Sequence, residues 1–279
     1  MSVHGSGGPG FGDRLAAAIE DCGPVCVGID PHPQLLQAWG LSADGAGLRD
    51  FGRMVVERVA GTVAAIKPQS AFFEEYGSEG IAALEHILAA ARDAGVLSVL
   101  DVKRGDIGST MGGYARAYLG DRSPLRADAI TVSPYLGYES LRPALDLAHE
   151  NGRGVFVLAL TSNPEARELQ REVAGKIVAA AAHENAARPG RLLGSVGLVV
   201  GATIGSAAED LGIDLATVGG PMLAPGVGAQ GAGAAEIAGV FGEAVPFVLA
   251  SSSRGLLQAG PDGLRAAAAE LTSALRAQT

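Results

Sequence analysis

The sequence predicts an α/β protein with the (β/α)8 architecture of a TIM barrel. Eight short apolar runs recur along the 279 residues, and segments of helical periodicity separate them. The runs are apolar nearly throughout, which is typical of parallel strands covered on both faces. No Pro/Ser-rich linker divides the chain, so we expect one barrel domain over residues 1–279 with a short flexible tail of about residues 1–11. A doubly wound parallel sheet is the alternative.

The predicted strands and helices follow in strict alternation. The apolar runs are residues 25–29, 63–66, 96–102, 129–132, 155–160, 196–200, 222–224 and 245–249. Apolar stripes predict helices over 78–95 and 138–152, and alanine-rich segments at 173–187 and 264–277 predict two more. We expect Ser78 to cap the first of these helices and Gly95 to end it.

Polar residues collect just after the apolar runs. They are Asp30, Lys67, Asp101, Lys103, Ser133, Ser162, Thr203, Gln230 and Arg254. In a barrel, the carboxyl ends of all strands open onto one face, where active sites are built. The repeated occurrence of polar residues at the predicted strand ends therefore favours the barrel and predicts a site at that face.

Composition excludes several classes of function. The net charge of −9 and the aromatic content of 5% argue against a nucleic-acid partner. Cys22 and Cys26 are too few for a disulfide scaffold and indicate a reducing, cytoplasmic location. The N-terminus lacks the pattern of a signal peptide. Prolines interrupt the longest uncharged stretch, residues 215–235, so we expect no membrane partner.

The strongest local signal is the segment from Asp101 to Asp106. Because side chains alternate along a strand, Asp101 and Lys103 point into the barrel mouth while Val102 points outward. Neighbouring carboxylates favour the ammonium form of Lys103, so we expect a fixed cation or proton donor rather than a Schiff-base nucleophile. This suits chemistry that builds negative charge on carbon and then protonates it. A surface salt bridge is the alternative interpretation.

Two further charged residues end neighbouring strands. Asp30 ends the first predicted strand and Lys67 ends the second. With Asp101, Lys103 and Asp106 they predict an alternating Lys–Asp–Lys–Asp array around one mouth, in which each charge is paired.

The segment 225–231 contains a formal G-x-G-x-x-G. A dinucleotide-binding fold would place an acidic residue about 20 positions later, and none is present at that strand end. In a barrel, the loops after the seventh and eighth strands commonly bind phosphate. The second of these loops is 251–255, in which Arg254 can pair with a phosphate. Flexible turn glycines are the alternative.

Other candidate residues are weaker. Ser162 either contacts a polar heterocycle or caps the next helix, and Thr110 alone is an ordinary threonine at a helix start. The five histidines show no metal-ligand spacing, so we expect no metal site. The sequence carries no G-x-S-x-G motif and no histidine-based triad.

These residues together resemble the orotidine 5′-phosphate decarboxylase family. The resemblance rests on Asp101-x-Lys103-x-x-Asp106, Lys67, Asp30, the 225–231 loop and Arg254. Segments 28–32, 67–74, 103–106 and 133–137 are similar to the longer bacterial branch found in mycobacteria, and the resemblance runs from about Gly12 to the last helix. The D-x-K-x-x-D motif alone is shared with related barrel decarboxylases and synthases.

The resemblance implies a cofactor-free homodimer that converts orotidine 5′-monophosphate to UMP and CO2, the last step of de novo pyrimidine nucleotide synthesis. Lys103 would stabilise and protonate the C6 carbanion, and Asp101 would lie against the substrate carboxylate. Lys67 and Asp30 would hold the ribose hydroxyls. Together with Thr110, Asp106 would reach into the partner's site.

The resemblance also assigns the remaining binding residues. Ser162 would contact the pyrimidine, and Pro225 would line the pocket. Gln230, Arg254 and the backbone of Ser253 and Arg254 would bind the phosphate. Ser253 stands where shorter members of the family have a glycine.

Two other functions are weighed against this one. A metal-dependent sugar-phosphate enzyme of the same barrel group would hold Mg2+ with carboxylates, but Lys67 would repel the metal. A non-catalytic phosphate-binding or assembly barrel would have no use for the charged array, which is costly to bury.

Overall fold

Eight parallel strands pair in chain order and close into a barrel. The strands are β1 Val25–Ile29, β2 Ala65–Pro68, β3 Leu97–Arg104, β4 Ala129–Val132, β5 Gly154–Leu160, β6 Val196–Val200, β7 Met222–Pro225 and β8 Val248–Ser252. Strand β1 pairs with both β2 and β8, which closes the ring. This is a computed structural model, and it describes residues 8–228 and 231–277. The predicted (β/α)8 fold is confirmed.

Helices surround the barrel. They are α1 Phe11–Cys22, α2 Pro33–Ala38, α3 Gly45–Val59, α4 Ala71–Glu74, α5 Gly77–Asp93, α6 Gly108–Leu119, α7 Arg142–Glu150, α8 Arg167–Ala187, α9 Ala207–Asp210, α10 Ala234–Phe241, α11 Arg254–Leu257 and α12 Gly260–Arg276. Among residues 8–228 and 231–277, no helix combines the length and the hydropathy needed to cross a membrane.

Several boundaries differ from the sequence prediction by a few residues. Strand β2 lies two residues later than predicted, and α8 begins six residues earlier. The last strand was expected at 245–249 but begins at Val248, because residues 242–247 form a 3-10 helix that contains Pro246. The cap predicted at Ser78 is wrong. Helix α5 already begins at Gly77, so Ser78 lies inside its first turn and its hydroxyl makes no cap. Gly95, with φ of 69°, does follow the end of α5 as predicted.

The interior of the barrel is apolar and is closed at its amino end by α1. Phe11 is fully buried and packs edge-on against Phe156, with ring centroids 5.8 Å apart. Gly154 makes room for it, since a Cβ there would lie 2.1 Å from the Phe11 ring. Most of the tail predicted for residues 1–11 lies outside the described residues, which begin at residue 8. Helix α1 thus fills the amino end of the barrel interior, and the predicted site residues gather at the opposite, carboxyl end.

Both cysteines are free thiols. Cys26 lies in β1 within the interior cluster, and burial raises the pKa of its thiol to about 12. Cys26 is therefore a small apolar core residue rather than a nucleophile.

Candidate active site

A cavity of about 420 Å³ opens at the carboxyl end of the barrel. Eight of the predicted site residues line it: Asp30, Lys67, Asp101, Lys103, Ser162, Pro225, Ser253 and Arg254. These residues come from the ends of strands that are distant in sequence, and closure of the barrel brings them together.

Asp101 lies at the centre of the site and accepts four hydrogen bonds. Its Oδ1 atom accepts one from Lys103 Nζ at 2.7 Å and one from Thr131 Oγ1 at 2.8 Å. Its Oδ2 atom accepts one from Lys67 Nζ and one from Gln69 Nε2, each at 3.2 Å. These four bonds occupy the acceptor positions of the carboxylate and hold Asp101 rigidly. They also satisfy its polar atoms in a position where the residue is only 6% exposed to solvent.

The paired charges stabilise one another. Burial alone would raise the pKa of Asp101, but the ammonium groups of Lys67 and Lys103 outweigh it and lower the pKa from 3.8 to about 2. Burial alone would likewise lower the pKa of Lys67, but the carboxylates of Asp101 and Asp30 raise it above its ordinary value. Asp101 and Lys67 are therefore both charged at neutral pH.

Lys103 is the more accessible member of the array. Its side chain is 45% exposed, against 8% for the side chain of Lys67. The ammonium group of Lys103 has three N–H donors, and it donates one hydrogen bond to Asp101 Oδ1. The sequence-based orientation of Asp101 and Lys103 into the mouth is confirmed, as both line the cavity while Val102 packs in the outer core.

The two loops predicted to bind phosphate also line the cavity. Gly226 and Gly228 have φ of 99° and 79°, which makes the turn specific to glycine. Position 253 has φ of −123°, a backbone conformation that does not require glycine, so a serine fits there. Gly28 makes room for the Ser253 side chain, since a Cβ on Gly28 would lie 2.6 Å from Ser253 Cβ. Within the described residues, Arg254 has no hydrogen bond or ion pair to its guanidinium group. Gln230 lies outside the described residues.

Asp106 and Thr110 lie outside the cavity of their own chain. The Asp106 carboxylate accepts the backbone N–H of Ile107 at 2.8 Å, and Thr110 is exposed in the first turn of α6. Within one chain, the observed array is therefore Lys67–Asp101–Lys103 with Asp30 beside it. Asp106, which the sequence prediction placed at the same mouth, is not part of it.

The sequence analysis missed two residues that hold Asp101. Gln69 lies two residues after Lys67, so strand alternation could have placed both on the same side. Thr131 is the polar residue of β4 on the face of Ala129, which lies in the barrel interior. Ser133 and Thr203, which were expected at the site, do not line the cavity. Ser133 instead lines a separate groove beside Tyr138.

Residues 23–269 match the model of the orotidine 5′-phosphate decarboxylase / HUMPS family. The chain belongs to this family. It is 55% identical over 268 residues to an orotidine 5′-phosphate decarboxylase of Streptomyces coelicolor, covering 92% of this chain and 94% of that protein. It is also 55% identical over 277 residues to that of Salinispora arenicola, covering 96% of this chain and 97% of the relative.

Solved structures agree with the family. A crystal structure of a Streptomyces avermitilis protein assigned as an orotidine 5′-phosphate decarboxylase superposes with a TM-score of 0.92 at 53% identity, covering 100% of this chain and 99% of that one. The Leishmania donovani OMP decarboxylase superposes with a TM-score of 0.77 at 32% identity, covering 96% and 98%. The family resemblance stated from the motifs is thus confirmed.

Replacing Asp101 with Asn is expected to lower the free energy of unfolding at pH 7 by about 2 kcal/mol. This is the free energy that corresponds to lowering the carboxyl pKa from 3.8 to about 2 on folding. The folded-state pKa lies below the unfolded value, so the carboxylate stabilises the fold fully above about pH 5 and loses this effect as pH falls toward 2. Urea unfolding of both proteins should therefore give a difference that narrows from pH 5 to pH 3.

The matched control is Asp262→Asn, because the Asp262 side chain is 94% exposed. This variant should change stability by less than about 0.5 kcal/mol. A difference for Asp101→Asn that is absent at pH 7, or unchanged between pH 5 and pH 3, would contradict the assignment of a strongly paired carboxylate.

Proposed function

We propose that this protein decarboxylates orotidine 5′-monophosphate to UMP and CO2, with neither metal nor cofactor as electron sink. The observation that carries the proposal is the Asp101 carboxylate held between the ammonium groups of Lys67 and Lys103, with Lys103 accessible from the cavity. Membership of the family and the names of the relatives support the same reaction.

Lys103 carries out the central step. The bond between C6 and the substrate carboxylate breaks, CO2 leaves, and the electron pair stays on C6. The Lys103 ammonium stabilises this negative charge by its fixed position and then donates a proton that forms the new C6–H bond. The neutral amine regains its proton from water. Because the charge is fixed before the substrate arrives, it needs no reorganisation during the reaction.

Asp101 lies against the substrate carboxylate in this proposal. Although burial opposes ionisation, the ammonium groups of Lys67 and Lys103 keep the carboxylate ionised, with its pKa at about 2, and its hydrogen bonds add to this effect. They also fix the direction of the Lys103 ammonium. The two carboxylates repel each other, and this repulsion is relieved when the substrate carboxylate leaves as CO2.

The remaining residues bind the nucleotide. Asp30 has a buried Oδ1 atom that finds no hydrogen-bond partner in the described part of the chain, which fits an acceptor for a ribose hydroxyl, and Lys67 lies beside it. Ser162 lines the cavity and contacts the pyrimidine. Arg254 binds the phosphate, and its lack of a partner among the described residues keeps it available. We assign Gln230 to the phosphate as well.

The active unit is a homodimer that shares its sites across the interface. Asp106 and Thr110 lie outside the cavity of their own chain, which fits a role in the partner's site. The intervening Ile107 is 61% exposed, and Tyr135 and Leu136 on the next loop are 76% and 52% exposed. Exposed apolar residues of this size are typical of an interface. A cytoplasmic location fits the two free thiols.

The first test follows the ultraviolet absorbance of orotidine 5′-monophosphate in the presence of EDTA. Wild-type protein should consume the substrate, and Lys103→Ala should lower kcat by a factor of about 10³ or more, because it removes the charge that stabilises the carbanion. Lys176→Ala is the matched control, since Lys176 is an exposed residue of α8, and it should keep wild-type activity. Turnover that requires added Mg2+ would favour the metal-dependent alternative.

The second test concerns the phosphate. Arg254→Ala should raise KM about tenfold to a hundredfold, the value of a charge-assisted hydrogen bond. The same variant should lose affinity for UMP but not for uridine, which lacks the phosphate. Arg265→Ala on α12 is the control, because the one hydrogen bond of its guanidinium within residues 8–228 and 231–277 goes to the Ala60 carbonyl. An equal loss for UMP and uridine would contradict the assignment.

The third test uses complementation between two inactive variants. Lys103→Ala and Asp106→Ala dissociated together and reassociated in equal amounts should recover about a quarter of wild-type activity, because half of the dimers are mixed and each mixed dimer has one intact site. If Asp106 acted within its own chain, no mixed dimer would contain an intact site and activity would stay at the level of the separate variants.

A further inference from the structure

Strands β3 and β4 lose their regular pairing beside the active site. Leu100 pairs with Ile130, but the next pair is Arg104 with Val132. Residues 101–103 of β3 therefore lie opposite a single residue of β4, Thr131. An irregularity of this kind leaves backbone groups of the longer strand without their usual partners. The backbone N–H of Lys103 is one of these groups.

The side chain of Thr131 replaces the missing partner. Its Oγ1 atom accepts the backbone N–H of Lys103 at 2.9 Å and donates to Asp101 Oδ1 at 2.8 Å. The direction of both bonds is fixed, since an N–H can only donate and an ionised carboxylate can only accept. Thr131 is 1% exposed, so no water competes for either bond.

Lys103 has an unusual backbone conformation at this point. Its φ is 43°, and in residues 8–228 and 231–277 it is the one non-glycine residue with a positive φ. A lysine disfavours the left-handed region, and such strain persists only where the surroundings enforce it. The hydrogen bond from Lys103 N–H to Thr131 acts on this strained residue directly.

We propose that Thr131 is a positioning residue for the decarboxylation, which holds the left-handed backbone of Lys103 and the carboxylate of Asp101 with one hydroxyl group. This inference rests on the proposed function. Thr131 acts on the reaction through Lys103, whose ammonium then keeps the position from which it stabilises and protonates the carbanion. A displacement of about 1 Å at such a group lowers a rate by about a hundredfold.

The test is a series of substitutions at Thr131 with kcat and KM measured for orotidine 5′-monophosphate. Thr131→Val keeps the shape but removes the hydroxyl, so kcat should fall about a hundredfold while KM and the affinity for UMP stay within about threefold. Thr131→Ser keeps the hydroxyl and should retain kcat within about threefold. Thr131→Cys carries a weak donor and should fall between them, which gives a second measurement if the valine variant does not fold.

Thr272→Val is the matched control, because Thr272 is buried in α12 and its hydroxyl has no hydrogen-bond partner among the residues that the structure describes. It should leave kcat and KM unchanged. The inference is overturned if Thr131→Val keeps wild-type kcat, if Thr131→Ser loses as much as valine, or if the loss lies in KM alone. A wild-type protein that does not consume the substrate would overturn the proposed function itself, and the inference with it.

Discussion

The buried carboxylate of Asp101 is the group on which the site depends. A charge taken out of water must be paired and hydrogen-bonded, or it destabilises the fold by several kcal/mol. Here β2 supplies Lys67, β3 supplies Lys103, and β4 supplies Thr131. Parallel pairing brings the carboxyl ends of these three neighbouring strands together, so the same contacts that stabilise the buried charge also fix the positions of the two ammonium groups.

In the proposed reaction, the site must attract an anionic nucleotide to a protein that is itself negatively charged. The whole chain carries a net charge of −9, so its overall field does not attract a nucleotide. Local cations must supply the attraction, and Lys67, Lys103 and Arg254 all line the cavity. In the proposed reaction, binding energy gained at the phosphate offsets the repulsion between the substrate carboxylate and Asp101, because contacts remote from the reacting atoms can lower a chemical barrier.

Much of this arrangement could be predicted from sequence. The apolar runs located the strands, and side-chain alternation placed Asp101 and Lys103 in the mouth correctly. Gln69 could have been found by the same rule. The contact of Thr131 with the Lys103 backbone could not, because it depends on where the pairing of β3 and β4 breaks. The predicted position of the last strand is also wrong. An apolar run such as 245–249 fits a 3-10 helix as well as a strand, so hydropathy alone could not place the boundary between the two.

The break in β3 also separates the functions of Lys103 and Asp106. In a regular strand, residues three apart lie on opposite faces and the chain continues straight. The left-handed turn at Lys103 instead keeps its ammonium on Asp101 while the chain leaves the barrel at Gly105, where a Cβ would lie 2.4 Å from the Ser133 carbonyl. Asp106 therefore faces away from its own cavity. One local distortion thus keeps the Lys103 ammonium in the cavity and leaves the Asp106 carboxylate outside it. In the proposed dimer, in which Lys103 donates the proton and Asp106 enters the partner's site, catalysis and assembly depend on the same few residues.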